Sequence, residues 1–238
     1  MLCGGLGTRL RAAVADRPKV LAPVGDAPFL LHQLRFLAAA GAHTVVLATG
    51  YLGDQVEAWA RDHAPAGLDV RCVREAAPLG TGGALAHAVR TAGLDGLVLA
   101  LNGDTFFGGS PARLAAAHRA AGARATLGLA HVPDAARYGR VAMAGAPGDG
   151  DPVRVTGFME KGAGGPGWIN AGAYALEPDV LAGVPEGVAV SLERDLFPGL
   201  AAAGALAAAP FPAAPFLDIG TPEDYARAPG VLASLARP

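Results

Sequence analysis

Near the amino terminus, Gly4-Gly5-Leu6-Gly7-Thr8-Arg9-Leu10 is followed by Arg17-Pro18-Lys19, joining bare backbone to two fixed cations. Glycines at 4, 5 and 7 carry no Cβ, so their N–H groups approach an anion closely and take positive φ where a turn requires it. Arg9 offers a planar fork matched to two phosphate oxygens, and Lys19 brings a point charge on a long stem. The chemistry this favours is the holding of a triphosphate; a ligand-free structural turn is the plainer use of the same glycines. Two familiar phosphate loops do not fit. The dinucleotide fingerprint wants glycine where Leu10 stands, and no Gly-Lys-Ser/Thr follows as a P-loop requires.

Three further places carry chemistry. Glu75-Ala76-Ala77-Pro78-Leu79-Gly80-Thr81-Gly82-Gly83-Ala84 runs from a predicted strand into a predicted helix, where an open α/β sheet binds ligands. Its glycines at 80, 82 and 83 suit a flat nucleobase lying against bare backbone. Asp104 directly follows the apolar run 97–101 and is placed either to hold Mg²⁺ beside substrate phosphates or to cap a turn. Asp218, in Phe216-Leu217-Asp218-Ile219-Gly220-Thr221-Pro222, is the second metal carboxylate candidate. Glu75 is either a base reader or a surface carboxylate that faces solvent or neutralises Arg74. As a reader it would suit guanine, because a carboxylate only accepts and guanine offers N1–H and N2–H₂ on one edge.

The elements that must position these groups alternate. Phe29, Leu30, Leu34 and Leu37 form one face of a helix that opens at Asp26-Ala27-Pro28, with Asp26 as N-cap, and stops at Gly41. Residues 43–50 form a near-continuous apolar run, the pattern of a strand covered on both faces. Gly53–His63 reads as helix, 69–73 as strand, the stretch through Arg90 as helix, 97–101 as strand, Pro111–Ala121 as helix and 125–131 as strand. Short strands at 140–144 and 153–158 flank a glycine-rich turn, within an antiparallel portion from about 134 to 176. Ser191 is the N-cap of a later helix, and Thr221-Pro222 opens the last one. The Ala/Pro-rich stretch 200–215 reads as one weak strand and a loop. Met1-Leu2-Cys3 precedes the first glycines, whereas a central strand normally runs about five residues. Either the start is trimmed or the strand is a stub.

The motifs resemble the sugar-1-phosphate nucleotidyltransferase family over residues 2 to about 228, through G-G-x-G-T-R-L with Pro-Lys and Pro-Val, E-x-x-P-L-G-T-G-G-A, F-x-E-K, N-A-G-x-Y, S-L-E-x-D and D-x-G-T-P-x-D-Y. That resemblance implies a doubly wound, mostly parallel, Rossmann-like α/β sheet with a small antiparallel sugar-binding portion. It implies one domain over 1–238, the nucleotide part at about 1–130 and the sugar-facing part at about 131–220. By the same resemblance Arg9, Lys19, Asp104 and Lys161 are catalytic, and Gly4, Gly5, Gly7, Thr8, Glu75, Pro78, Gly80 and Thr81 bind nucleotide. Asn102, Tyr138, Gly139, Glu160 and Asn170 face the sugar, Lys161 contacts its phosphate, and Asp104 and Asp218 hold Mg²⁺. The string combination is most similar to the branch that guanylylates D-glycero-D-manno-heptose 1-phosphate. Uridylyl or thymidylyl transfer to a hexose 1-phosphate, or a non-catalytic sugar-nucleotide-binding subunit, are the alternatives. A nicotinamide-dependent enzyme is disfavoured by Leu10.

Composition narrows the partners. The chain has 238 residues, 52% of them hydrophobic, and a formal net charge of −2. With pI near 6.3 and dispersed basic residues, it lacks the clustered positive charge of a nucleic-acid or anionic-membrane binder. No apolar run reaches the ~18 residues of a membrane span and no signal peptide is visible, so the cytoplasm is the expected location. The expected partners are GTP, or another nucleoside triphosphate, and a sugar 1-phosphate, with no nucleic acid and no membrane; a homo-oligomer stays open. Cys3 and Cys72 lack metal-ligand spacing and read as small hydrophobes in a reducing compartment. The six histidines lack metal-ligand spacing too and read as helix-face or surface residues.

Overall fold

A computed structural model describes residues 1–5, 7, 10, 14, 16–159, 162 and 164–235. After a single turn at Lys19–Leu21, β1 (Pro23–Val24) and β2 (Ala27–Pro28) form a hairpin that leads into α1 (Phe29–Ala39). Strand and helix then alternate through β3 (Thr44–Thr49), α2 (Gly53–His63), β4 (Asp69–Arg74), α3 (Gly80–Ala92) and β5 (Val98–Leu101). Next come β6 (Thr105–Phe107), α4 (Pro111–Ala121), β7 (Ala125–Val132), β8 (Arg140–Met143), β9 (Val153–Met159) and β10 (Gly167–Leu176). The chain closes with α5 (Pro178–Ala182), a wide turn at Leu192–Leu196, α6 (Phe197–Ala202), β11 (Leu206–Phe211), β12 (Phe216–Asp218) and α7 (Pro222–Leu235).

The three residues before the first glycines serve as the central strand despite their shortness. Leu2 N–H donates to Leu101 O at 2.8 Å and Leu2 O accepts from Gly103 N at 2.8 Å. On the other side Cys3 N–H reaches Ala48 O at 2.8 Å. Leu2 thereby bridges in parallel to β3 at Ala48 and to the end of β5 at Asn102. The strand sequence across the molecule is therefore β4, β3, residues 1–3, β5, β10, β7, β11, β9, β8. β3 and β4 are parallel, as are β7 and β11, while β10 runs antiparallel to both β5 and β7. This is the doubly wound, mostly parallel α/β sheet expected from the sequence.

One expectation is corrected and three gain detail. Asp26 does not cap α1: it lies in the β1–β2 turn beside Gly25 at φ +65°, and Pro28 precedes the helix with no side-chain cap. The antiparallel portion is continuous with the main sheet, because β9 pairs with β11 at Arg154–Ala207 and Val153–Ala208. Strand β10 runs through the middle of the main sheet, between β5 and β7. The stretch read as a weak strand contains β11, whose six residues are all buried in parallel register with β7. Its alanines are small enough to lie between helix and sheet without crowding, and burial on both faces outweighs poor intrinsic strand propensity. His118 is on a helix face as expected, and it is buried there, its ring nitrogens 2.9 Å from Thr126 Oγ1 and 3.0 Å from Glu177 Oε1. No helix among the described residues is long and apolar enough to cross a membrane.

Candidate active site

A cleft of about 380 Å³ opens at the carboxyl ends of the parallel strands, where the residue 1–3 segment, β4 and β5 all release the chain into loops. Gly4, Gly5 and Gly7 form one side, Glu75, Pro78 and Gly80 another, and Asn102, Asp104 and Lys19 its floor. Gly7 takes φ +59° and lies against Lys19, whose Cβ would be 3.4 Å from a Cβ built at 7. Thr8, Arg9, Glu160 and Lys161 lie outside the described residues.

Lys19 is fixed by its neighbours Val20 and Leu21, which are buried in the core. Its ammonium lies 2.8 Å from Asp104 Oδ2 and 3.7 Å from Asp218 Oδ1, with only 10% of the side chain exposed. A pairing register explains why residues so distant in sequence meet. β12 runs antiparallel to β6 with Asp218 opposite Thr105, so Asp218 is delivered next to Asp104. Asp218 Oδ1 also accepts from Gly220 N at 2.7 Å, and Ile219 N–H donates to Asp104 O at 3.1 Å. The two carboxylates thus face one point already held by a cation, and both are hard oxygen donors. That donor set fits Mg²⁺, which takes one or two carboxylates and leaves other positions to phosphate and water.

The Asn102-Gly103-Asp104-Thr105 turn is held from below by Gln33, a residue the sequence reading missed. Gln33 Nε2 donates to Asn102 O at 3.1 Å and to Thr105 O at 2.8 Å. The available signal was a polar residue at a position that falls on the apolar face of α1, where it is buried with Leu30 and Leu34. At Gly103 a Cβ would come 2.5 Å from Leu2 O, so the turn needs glycine to pass beneath the central segment.

Glu75 directly follows β4 and turns into the cleft. Arg74 is occupied elsewhere, its Nε and Nη2 each 2.8 Å from the two carboxylate oxygens of Glu57, so it does not neutralise Glu75. Glu75 Oε2 accepts from Leu79 N at 3.1 Å, and Oε1 rests where a Cβ on Gly4 or Gly50 would be. Burial pushes the Glu75 carboxyl above its ordinary value, opposed in part by the Leu79 N–H. Gly50 is a second residue that sequence reasoning did not single out; only its close approach to Glu75 explains it.

The glycines at 80, 82 and 83 have a cause besides the one expected. A Cβ at Gly80 would come 2.6 Å from Val190 O, and one at Gly83 would come 2.7 Å from Val188 O. Gly82 N and Gly83 N donate to Val190 O at 2.8 and 3.1 Å. The first turn of α3 is bare because the 188–190 segment packs on it. Thr81, assigned to the nucleotide, lines the cleft, yet its hydroxyl donates to Glu193 Oε2 at 2.8 Å and accepts from Leu192 N at 2.8 Å. Ser191 caps the following turn as expected, accepting from Arg194 N at 3.2 Å.

Tyr138, Gly139 and Asn170 do not line the cleft. Tyr138 sits in a turn at 134–139 with its ring edge-on to Phe216 at 5.3 Å, and Gly139 takes φ +76°. Asn170 Nδ2 donates to the Tyr174 hydroxyl at 3.1 Å while its Oδ1 accepts from Gly172 N at 3.0 Å, so much of its amide holds the irregularity in β10. Asn102 Oδ1 is enclosed without a hydrogen-bond partner among the described residues.

A cleft with glycine backbone on one wall, a lysine shared by two carboxylates and, among the described residues, no nucleophile–base pair is a nucleotide-handling site. The chain belongs to the Nucleotidyl transferase family, whose profile matches residues 1–233. It is 39% identical over 229 residues to mannose-1-phosphate guanylyltransferase of Mycobacterium tuberculosis, covering 95% of this chain and 62% of that protein. The chain thus spans under two thirds of that relative's length. It is 32% identical over 239 residues to D-glycero-alpha-D-manno-heptose 1-phosphate guanylyltransferase of Aneurinibacillus thermoaerophilus, covering 96% of this chain and 95% of that one. Among solved structures it resembles HddC from Yersinia pseudotuberculosis complexed with GMP-PN, with TM-score 0.81, 28% identity and 96% of each chain covered.

The two kinds of glycine make separable predictions. A Cβ at Gly5 meets nothing within 4 Å, whereas one at Gly83 collides with backbone. Gly5→Ala should leave the melting temperature near that of the native protein and weaken nucleoside triphosphate binding. Gly83→Ala should lower stability by about 1–3 kcal/mol, as overpacking does. Thermal melts and calorimetric GTP titrations of both variants check this.

Proposed function

We propose that this protein is a guanylyltransferase that makes a nucleotide sugar and pyrophosphate from GTP and D-glycero-α-D-manno-heptose 1-phosphate. The observation that carries the reading is Lys19 flanked by Asp104 and Asp218 at the floor of the glycine-walled cleft. The second pKa of a phosphate monoester is near 6, so the sugar phosphate is already a dianion at neutral pH. Its oxygen attacks the α-phosphorus of GTP, the bond from that phosphorus to the β-bridging oxygen breaks, and pyrophosphate leaves. Neither a side-chain nucleophile nor a general base is needed. Lys19 holds positive charge against the phosphates, in a position fixed before substrate arrives. Arg9, on the triphosphate, and Lys161, on the sugar phosphate, do the same by family resemblance. Asp104 and Asp218 would hold Mg²⁺, which when bound supplies further charge neutralisation to the phosphates.

Guanine is favoured by Glu75. Its carboxylate is fixed by Leu79 N–H and packed on Gly4 and Gly50, leaving it an acceptor in the cleft wall for N1–H and N2–H₂. Uracil and thymine would turn carbonyl oxygens toward it. The heptose reading is supported by the near-complete mutual coverage with heptose 1-phosphate guanylyltransferases, 95% of each of two such proteins. The greater identity to a mannose-1-phosphate guanylyltransferase favours a second reading, mannose 1-phosphate as substrate. The cytoplasm, which supplies nucleoside triphosphates, is the compartment this reaction requires.

The test is a matrix of GTP, UTP, dTTP and ATP against heptose, mannose and glucose 1-phosphates, read by pyrophosphate release with and without EDTA. Release should be greatest with GTP and the heptose phosphate and should stop with EDTA. Faster turnover of mannose 1-phosphate would select the second reading, and release with no pair would refute both.

Glu75 adds a pH signature. An ordinary glutamate titrates near 4.3 and this one higher, so its acceptor form should be lost at a higher pH on acidification. The GTP-to-UTP ratio of kcat/KM should therefore fall on acidification from neutral pH, beginning above the ordinary glutamate range. Glu75→Gln should flatten that dependence and lower the ratio by about tenfold or more, the effect of leaving a buried polar group unpaired. An unchanged ratio in Glu75→Gln would remove this carboxylate from base reading.

A further inference from the structure

Asp224, on the first turn of α7, is a buried carboxylate outside the cleft, with 3% of its side chain exposed. It receives the guanidinium groups of Arg137 and Arg227 and the hydroxyl of Thr221, the last at 2.9 Å. Burial alone would push its carboxyl up, but these hydrogen bonds outweigh it and hold the group below its usual range. Arg137 belongs to the 134–139 turn, and its guanidinium carbon lies 5.5 Å from the centroid of the Tyr138 ring. That ring in turn meets Phe216, two residues before Asp218 on β12. The turn is also tied to the loop beyond Lys161. Gly162 N donates to Ala136 O at 2.9 Å, Ala135 N to Gly165 O at 3.0 Å, and Asp134 Oδ1 accepts from Gly165 N at 3.2 Å.

One side chain therefore connects three pieces, namely α7, the 134–139 turn and, through that turn, Gly162 and Gly165. We propose that Arg137, anchored on Asp224, is a positioning residue that fixes the Tyr138–Gly139 turn and the loop after Lys161 relative to the strand bearing Asp218. The inference rests on the proposed function for its kinetic consequence: the turn and loop flank the residues assigned to the sugar 1-phosphate, whereas among the described residues no hydrogen bond or ion pair joins Glu75 to Arg137 or Asp224. Losing the brace should loosen one substrate's site and leave the other's intact. Folding should survive, because Asp224 keeps Arg227 and Thr221 when Arg137 is removed.

The experiment compares native protein, Arg137→Ala and Arg137→Lys in two measurements. In the ligand-free proteins, hydrogen exchange of the Tyr138 and Gly139 amides, both bonded to Ala135 O, should speed up about tenfold or more in Arg137→Ala, with β7 and β11 unchanged. In kinetics, KM for the sugar 1-phosphate should rise roughly tenfold while KM for GTP stays within about twofold, since only one substrate's positioning is lost. Arg137→Lys keeps a cation for Asp224 but loses the planar fork over Tyr138, so it should fall between the two. Unchanged exchange at 138 and 139, or a parallel rise in both KM values, would overturn the proposal. A native protein that releases no pyrophosphate would refute the proposed function instead, and the exchange measurement would still decide the role of Arg137.

Discussion

One ammonium group organises the site. Lys19 has little solvent of its own and depends on Asp104 and Asp218 to compensate its charge, since a partly buried cation without partners is strongly disfavoured. The two carboxylates, for their part, would repel each other at this separation without a cation between them. Their meeting requires the β6–β12 register, a central segment whose Leu2 carbonyl accepts from Gly103 N, and Gln33 to hold the turn after β5. A one-residue slip of β12 would send Asp218 to the other face of its ribbon and separate the pair. The phosphate chemistry proposed for the cleft is a consequence of that register as much as of the residues themselves.

Glycine has three distinct uses around the cleft. At Gly5 the space is open and belongs to whatever ligand enters. At Gly4 and Gly50 the missing Cβ makes room for a carboxylate, so the base-reading candidate is placed by backbone on two sides. At Gly80 and Gly83 it makes room for the 188–190 segment, which carries on into Ser191 and Glu193. The base loop and the wide turn at Leu192–Leu196 are therefore one packed unit, joined by Thr81 to Glu193. Motif strings that look like ligand loops can owe their glycines to a neighbouring chain segment.

Local signals carried much of the fold. Helix Gly53–His63 and helix Pro111–Ala121 were legible to the residue, the latter because Ser110 accepts from Arg113 N and Gly122 supplies the left-handed stop. Strands β3 and β5 followed from near-continuous apolar runs, and β4 and β7 from the alternation of strand with helix. What failed was non-local. Asp26 has the right residue type for a cap, but a hairpin competes for it; β11 is alanine-rich and becomes a strand only because β7 and β9 enclose it. Glu75, Asp104 and Lys19 were legible as chemistry, and the structure brings them into one cleft. Gln33, Gly50, Arg137 and Asp224 were not, since their significance lies in hydrogen bonds and close approaches to residues far along the chain.

The central claim is that the α-phosphoryl group of the nucleotide is what moves. Parallel reactions with GTP labelled at the α- or the γ-phosphorus test it most directly, with the label followed into nucleotide sugar, pyrophosphate and inorganic phosphate. The account predicts α-label in the nucleotide sugar and γ-label in pyrophosphate, in equal amounts and only when a sugar 1-phosphate is present. Transfer of γ-label to the sugar, or its release as inorganic phosphate in place of pyrophosphate, would contradict it.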